Sequence, residues 1–263
     1  MPDPSDIRVG VIRIEGTNCE DESAAAFSSL GCNTEKIHLK QLLGDVEKSK
    51  CRNLMDYDAL YFPGGFSSGD YVRAGAIFAS RVKSGLQTQV DEYINEGRPV
   101  LGVCNGFQIL VELGALPGQE SGTTIVPDAV LHTNDSNRFE ARHVHLRVES
   151  NSQSFFTKNY ETNQILSIPN AHAEGKFSFP QDESNYEIPA KYLYQNYPSN
   201  PNGSDFNAAM LSSEDGRHLV MMPHLERSIF PWNWGHYPKN HSHEISPWIM
   251  IFENAYNWII NKA

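Results

Sequence analysis

The chain of 263 residues is short of basic side chains: 21 lysines and arginines stand against 32 aspartates and glutamates, a formal net charge of −11. This imbalance excludes a general nucleic-acid-binding surface, because phosphate binding needs clustered lysine and arginine. The chain also lacks an apolar run long enough to span a membrane. Its first 20 residues lack the apolar core of a secretory signal. We therefore expect small substrates or protein partners, with no nucleic acid and no membrane.

Cysteine is scarce as well, and no Cys-x-x-Cys pair occurs among Cys19, Cys32, Cys51 and Cys104. This spacing argues against a disulfide framework and favours free thiols in a reducing compartment, so the expected location is the cytoplasm. The chain also lacks a Gly-x-x-x-x-Gly-Lys-Ser/Thr loop and a Gly-x-Gly-x-x-Gly motif. We therefore expect no cofactor and no ATP chemistry in this chain.

One histidine-rich stretch invites comparison with a metal site. His236, His241, His243 and Glu244 lie close together in the sequence, but no thiolate pair or recognised ligand spacing accompanies them. Their glycine, proline and asparagine neighbours indicate a solvated loop, and we expect no metal site.

The first half of the chain alternates short apolar strands with helices. This alternation is typical of an α/β fold, here a mostly parallel central sheet with helices on both faces. The predicted segments are strands at Arg8 to Ile14, Asn33 to Leu39, Asp58 to Phe62 and Pro99 to Val103, a helical run ending at Gly31 and a helix from Gly85 to Glu96.

Beyond Gly114 the pattern changes to strand-like alternation, which predicts antiparallel extensions within a single domain spanning residues 1–263. Residues 182–205, rich in Asn, Pro, Tyr and Ser, are predicted to form a long surface loop. The remaining predicted segments are strands at Ala141 to Val148, Gln164 to Ile168 and Lys176 to Phe179, a strand pair at Asn207 to Ser212 and His218 to Met222, and a last helix after Ser246-Pro247 that buries Trp248, Ile251, Phe252, Ala255, Trp258 and Ile259.

The surroundings of Cys104 carry the clearest chemical signal. Cys104 stands between Gly102 and Gly106, directly after an apolar strand and directly before a helical stretch. This is the layout of a nucleophile elbow, a tight strand-to-helix turn that presents one side chain outward and needs small neighbours. The positive end of the helix dipole favours a thiolate and a developing oxyanion.

A base and its orienting group follow a later strand. His224 and Glu226 come directly after His218 to Met222, and residues two apart share a side in an extended segment. Glu226 can therefore fix the tautomer of His224, while the imidazole faces a cysteine presented by another strand.

Gly64 and Gly65 follow the strand that ends at Phe62. Their backbone N–H groups, with that of Asn105, would form an oxyanion hole. Sites in open α/β sheets gather at the carboxyl ends of strands, where Cys104, His224 and Gly64 are all predicted to lie.

Each signal alone has a structural alternative. A Gly-x-Cys-x-Gly segment also fits a buried small thiol, and a His-x-Glu pair also fits a surface histidine or one satisfied in the core. Their joint occurrence at strand ends favours nucleophilic catalysis. Cys19, Cys32 and Cys51 lack the elbow context and are expected to be inert.

Six segments support a more specific interpretation. They are Arg13-Ile14-Glu15-Gly16-Thr17-Asn18-Cys19-Glu20, Pro63-Gly64-Gly65-Phe66-Ser67-Ser68-Gly69-Asp70-Tyr71, Leu101-Gly102-Val103-Cys104-Asn105-Gly106-Phe107-Gln108, Asn137-Arg138-Phe139-Glu140, His172-Ala173-Glu174-Gly175 and Met222-Pro223-His224-Leu225-Glu226-Arg227. In these segments, over nearly its whole length, the chain resembles class I glutamine amidotransferases, and among them the glutaminase components of phosphoribosylformylglycinamidine synthase.

The resemblance implies a flavodoxin-like sandwich, with Cys104 as nucleophile, His224 as base and then acid, and Glu226 as orienter. It implies glutamine contacts from Gln108 and from the segment His172 to Gly175. It also implies a synthetase partner that binds ATP and Mg²⁺, bridged in split systems by a small third subunit. The long loop is similar to that of the single-chain synthase, which leaves open whether the chain is a free-standing subunit.

One residue departs from the family pattern: Leu225 replaces the second proline of Pro-His-Pro-Glu-Arg. The spacing from His224 to Glu226 is kept, so we expect the triad to survive on a less rigid turn. Two other classes stay open, since one fold hosts many functions. A cysteine hydrolase or peptidase would keep Cys104 and His224 without a synthetase, and a regulatory relative would not need the nucleophile.

Overall fold

A computed structural model of the chain describes residues 3–116, 129–149, 151–234 and 245–262. Its strands are β1 (Arg8–Arg13), β2 (Asn33–His38), β3 (Ala59–Phe62), β4 (Val100–Val103), β5 (Val130–His132), β6 (Glu140–Val148), β7 (Ile165–His172), β8 (Lys176–Ser178), β9 (Ala190–Tyr192), β10 (Met210–Ser212) and β11 (His218–Met221). Its α-helices are α1 (Glu20–Ser28), α2 (Leu39–Leu43), α3 (Ala76–Asn95), α4 (Asn105–Leu113) and α5 (Ile249–Lys262).

The central sheet has the strand order β10-β11-β4-β3-β1-β2. Strands β2, β1, β3, β4 and β11 run parallel, and β10 pairs antiparallel with β11. The predicted α/β class and mostly parallel sheet are therefore confirmed. Because β4 lies between β3 and β11, the carboxyl ends of these three strands meet at one edge of the sheet.

Continuous apolar sequence explains why these strands are central. Every residue of β3, β4 and β11 is buried, as expected for parallel strands covered on both faces. The predicted apolar face is buried: Trp248, directly before α5, and Ile251, Phe252 and Ala255 within it are at most 1% exposed. Trp258 and Ile259 pack partly buried against the core.

Two small antiparallel sheets account for the predicted extensions. One joins β5 to β8, and the other has the order β7-β6-β9. Strand β7 continues to His172, beyond the predicted end at Ile168, and brings the carbonyls of Pro169 and Ala171 to the edge of the central sheet where β4 and β11 end.

Two further predicted segments differ from the structure. Helix α3 begins at Ala76 rather than Gly85, because Phe78 and Val82 extend its buried face. That packing outweighs the cost of about 1 kcal/mol for a glycine inside a helix. Residues 182–205 are not only a surface loop, since they contain β9, whose Ala190 and Tyr192 are buried against β6.

The structure does not test two of the sequence-based predictions. The histidine-rich stretch from His236 to Glu244 lies outside the described residues, and the assignment of one domain to residues 1–263 stays a prediction. Within the described residues, no helix is both long and apolar enough to cross a membrane.

Candidate active site

Cys104 occupies a strained turn between β4 and α4. Its backbone has φ 53° and ψ −108°, a left-handed φ that costs a residue with a side chain on the order of 1–3 kcal/mol. The Cys104 N–H donates a 2.7 Å hydrogen bond to the carbonyl of Met221 in β11, which fixes the turn against the neighbouring strand. The predicted elbow geometry is thus present, and strain of this kind is typical of functional positions.

Gly106 allows α4 to begin directly above the end of β3. A Cβ atom at this position would lie 1.8 Å from the carbonyl oxygen of Phe62. A side chain at position 106 would therefore force the first turn of α4, and Cys104 with it, away from β3. Gly106, the second glycine of the motif, therefore allows α4 to lie close to the end of β3.

His224 is held from two sides. Its backbone N–H donates to the Pro169 carbonyl at 2.8 Å, and its ring Nδ1 lies 2.6 Å from Oε1 of Glu226. Both side chains are at most 4% exposed. Since Glu226 occupies Nδ1, Nε2 is the ring nitrogen left for proton transfer.

The charges of the pair are strongly coupled. Burial by itself lowers the pKa of His224, but the Glu226 carboxylate and the hydrogen-bonded Cys104 raise that pKa well above its usual value. Burial raises the pKa of Glu226, but the adjacent His224 outweighs it and leaves that pKa below its ordinary value. The arrangement therefore favours a carboxylate beside an imidazolium, the charge state that an acceptor behind a catalytic histidine stabilises.

Leu225, which departs from the family pattern, begins a turn that hydrogen bonds from Ser228 hold. Its side chain is fully buried, and its carbonyl accepts hydrogen bonds from the backbone N–H and the hydroxyl of Ser228 at 3.0 and 2.8 Å. These two bonds close a turn from Leu225 to Ser228, which contains Glu226, without the second proline.

The predicted oxyanion donors lie beside this turn. The Gly64 carbonyl accepts from the N–H groups of Asn18 and Cys19 at 3.1 and 3.2 Å, so the Gly65 N–H of the same trans peptide points the opposite way. Asn105 opens α4, where backbone N–H groups have no partner within the helix. Gly65 and Asn105 are therefore the N–H groups that the geometry favours as donors, and their role stays a prediction.

The side chain of Gln108, predicted to contact glutamine, ties the elbow helix to the segment after β7. Its Oε1 accepts from Nδ2 of Asn105 at 2.9 Å, and its Nε2 donates to the Glu174 carbonyl at 2.7 Å. Its contact with glutamine stays a prediction, and the two hydrogen bonds support the elbow.

His172 and Gly175, the other predicted glutamine contacts, share a partner. The His172 Nδ1 and the Gly175 N–H lie 3.0 and 3.1 Å from Oδ1 of Asn134, and the His172 Nε2 lies 3.5 Å from Nδ2 of Asn202. Burial, reinforced by the positive charge of His224, lowers the pKa of His172 to about 3. His172 is therefore a neutral, fully engaged ring, and the glutamine contacts of this segment stay a prediction.

Sequence reasoning missed two residues that contact the His224–Glu226 pair. The Cys19 Sγ lies 3.8 Å from Nδ1 of His224, and the Tyr61 hydroxyl lies 3.4 Å from Oε2 of Glu226. A signal existed for Cys19, because it follows β1, whose carboxyl end lies at the same edge of the sheet as the elbow. Burial and the charge of Glu226 raise the pKa of Cys19 to about 11, so it remains a neutral thiol.

Cys19, His224 and Glu226 also lie close enough together to suggest a metal site. The geometry argues for a hydrogen bond instead. Two ligands bound about 2.0–2.1 Å from one tetrahedral zinc ion would lie roughly 3.3 Å apart, whereas Nδ1 of His224 and Oε1 of Glu226 are 2.6 Å apart.

Comparisons with known proteins agree with this geometry. Residues 6–259 match the family described as the CobB/CobQ-like glutamine amidotransferase domain. Phosphoribosylformylglycinamidine synthase subunit PurQ of Archaeoglobus fulgidus is 46% identical over 250 residues, which cover 89% of this chain and 92% of that protein. The subunit of the same name from Methanococcus maripaludis is 37% identical over 229 residues, covering 82% of this chain and 81% of its own.

A solved structure is similar over nearly the full length. It is that of PurLQS from Thermotoga maritima, with a TM-score of 0.75 and 27% sequence identity, covering 97% of this chain and 99% of the matched chain.

Proposed function

The chain belongs to the CobB/CobQ-like glutamine amidotransferase family, and on that premise we propose that it is the glutaminase component of phosphoribosylformylglycinamidine synthase. It hydrolyses L-glutamine to glutamate and ammonia. The observation that carries the proposal is the meeting of the Cys104 elbow with the His224–Glu226 pair at the ends of two adjacent parallel strands.

The reaction begins at the thiol of Cys104. The sulfur attacks the side-chain amide carbon of glutamine while His224 holds the thiol proton, and the carbonyl oxygen becomes an oxyanion next to the N–H groups of Gly65 and Asn105. His224 then gives its proton to the amide nitrogen, the carbon–nitrogen bond breaks, and ammonia leaves. Each N–H donor of this kind contributes about 3 to 4 kcal/mol to transition-state stabilisation.

The second half of the reaction releases glutamate. The product of the first half is a thioester between Cys104 and the glutamyl group. His224, neutral again, takes a proton from a water molecule that attacks the thioester carbon, and returns that proton to the sulfur as the carbon–sulfur bond breaks. Glu226 keeps the imidazole in the orientation that both proton transfers require.

The ammonia is used elsewhere. We propose that a synthetase subunit or domain, with a small bridging subunit in split systems, consumes it in the ATP-dependent conversion of formylglycinamide ribonucleotide to formylglycinamidine ribonucleotide in purine biosynthesis. ATP and Mg²⁺ would be bound by that partner. The cytoplasm is the proposed location, on the basis of four free cysteines.

The test is a glutamate-release assay on the purified chain, alone and with the synthetase, ATP and ribonucleotide. We expect weak hydrolysis alone, stimulation by the loaded partner and loss of activity in Cys104→Ala. Hydrolysis that survives Cys104→Ala would overturn the catalytic assignment, and hydrolysis that ignores every synthetase tried would favour an independent cysteine hydrolase.

A further inference from the structure

The buried carboxylate of Glu226 uses its two oxygens differently. Oε1 faces Nδ1 of His224 at 2.6 Å, and Oε2 faces the hydroxyl of Tyr61 at 3.4 Å. We propose that Tyr61 is a positioning residue of the glutaminase reaction, whose hydroxyl fixes the plane of the Glu226 carboxylate and thereby the orientation of His224. The inference rests on the proposed function, since it concerns the same site.

The ring of Tyr61 is itself held rigidly. It lies in the fully buried strand β3, edge-on to Phe27 of α1 with centroids 6.3 Å apart and stacked on Phe252 of α5 at 6.2 Å. Aromatic packing from two helices leaves the hydroxyl little freedom. Its direction toward Glu226 is therefore set before any substrate binds.

The charge of Glu226 decides where the Tyr61 proton goes. Ser23, which also contacts the Tyr61 hydroxyl, donates its own proton to the Cys19 carbonyl at 2.6 Å, so its oxygen is a neutral acceptor and a weaker one than the ionised carboxylate. Burial and the neighbouring Glu226 charge raise the pKa of Tyr61 well above its ordinary value, so the phenol stays protonated. A protonated phenol beside an ionised carboxylate donates to it.

Other charged or titratable groups face the pair from every side. Cys104 approaches from the turn before α4, Cys19 from the segment before α1, and His172 from the end of β7. Arg227 follows Glu226 in the chain, with its guanidinium 3.5 Å from the carboxylate of Glu22. Tyr61 differs from these groups because its hydroxyl faces Oε2 of Glu226, the carboxylate oxygen that does not contact His224.

The expected effect is confined to the chemical step. A contact of 3.4 Å is long for a hydroxyl–carboxylate bond, and such contacts tighten in catalytic complexes. Removing a net stabilisation of ordinary hydrogen-bond size from the transition state lowers kcat by about three- to tenfold. The KM for glutamine changes little, because Tyr61 acts on Glu226 and does not touch the substrate.

The variant is Tyr61→Phe, which keeps the ring and its packing. Loss of the donor concentrates negative charge on the Oε1 side of Glu226, so the acidic limb of kcat/KM moves to higher pH. The matched control is Tyr57→Phe. Tyr57 is equally buried, and its hydroxyl donates at 2.7 Å to Glu35, a carboxylate of the edge strand β2.

A double-mutant cycle with Glu226→Gln distinguishes positioning from a general structural role. If Tyr61 acts through Glu226, adding Tyr61→Phe to Glu226→Gln lowers kcat no further. Additive losses, an unchanged kcat in Tyr61→Phe alone, or an equal loss in Tyr57→Phe would overturn the inference. None of these outcomes affects the proposed function, which depends on the separate result for Cys104→Ala.

Discussion

Gly64 lies directly against the ring of His224: a Cβ atom built at position 64 would sit 2.6 Å from Cε1 of the imidazole. No real side chain tolerates that distance, so the residue after Pro63 has to be glycine for the ring to keep its place.

Replacing Gly64 by alanine should therefore displace His224. We expect glutamine hydrolysis to fall about 100-fold, the loss typical of a catalytic group moved by about 1 Å. The measurement is kcat from glutamate release. Gly44→Ala is the control. Its left-handed φ of 78° makes an alanine there strained and costs stability, but a Cβ meets no atom within 4 Å, so no neighbour is displaced and activity should be retained. Full activity in Gly64→Ala would show that the ring position is not critical.

Replacing Glu226 by glutamine keeps the shape of the side chain and removes its charge. We expect kcat to fall by about 10² to 10⁴, as when the acceptor of a catalytic triad loses its charge and no longer fixes the histidine tautomer. Single-turnover measurement of ammonia release would locate the loss in the chemical step. A change confined to KM would contradict the role assigned to this carboxylate.

The buried thiols should differ in reactivity. Burial raises the pKa of both Cys19 and Cys32 to about 11, and thiols react as thiolates. Brief treatment with iodoacetamide should therefore leave Cys19 unmodified in peptide mass spectra. The same treatment should modify Cys104, the nucleophile at the start of α4, and abolish hydrolysis. Alkylation of Cys19 as fast as Cys104 would contradict the expected order of thiol reactivity. So would a loss, on iodoacetamide treatment, of the residual activity of a Cys104→Ser variant.

Acid should destabilise the fold through two buried histidines. Burial lowers the pKa of His172 to about 3 and that of His218 to about 4, whereas both rings bind a proton below about pH 6.5 in the unfolded chain. The unfolded state then binds more protons, so the free energy of unfolding falls as pH drops from about 6.5 toward 4, by about 1 kcal/mol per pH unit per histidine.

Urea unfolding at pH 7.5 and pH 5 measures this dependence. His218→Leu should lose part of the pH dependence, because it removes one of the two rings that stay neutral in the folded state. Leucine suits this site, which is apolar and in which the ring nitrogens of His218 have no partner among the described residues. The exposed His145→Leu variant should keep the full slope. An equal slope in both variants would remove His218 as a cause.

Much of the fold follows from local sequence. Strands such as Ala59–Phe62 and Val100–Val103 are apolar at every position and end at glycine, proline or the elbow, so their existence and approximate bounds could be predicted. The strand Ala190–Tyr192 could not, because its three residues stand among prolines and asparagines and owe their extended form to pairing with Glu140–Val148. Tertiary pairing there overrides local preference.

The residues of the candidate site also fall into those that local sequence marks and those that only tertiary contacts define. Cys104, His224 and Glu226 are marked by their neighbours in the chain, which is why the elbow and the pair could be predicted. Tyr61 carries no such mark, and Cys19 is marked only by its place directly after the loop that follows β1; the contacts of both residues depend on which strands adjoin in space. An apolar strand containing one tyrosine does not reveal that its hydroxyl meets a carboxylate from a much later segment.

The order of the central strands also governs when the protein becomes reactive during synthesis. The nucleophile is translated early, but β11, which docks beside β4 and delivers His224, emerges from the ribosome only after both small sheets have been made. Such sequence-distant pairing forms late in folding. A nascent or prematurely terminated chain therefore carries Cys104 without its base, and glutamine is not consumed until β11 has paired with β4.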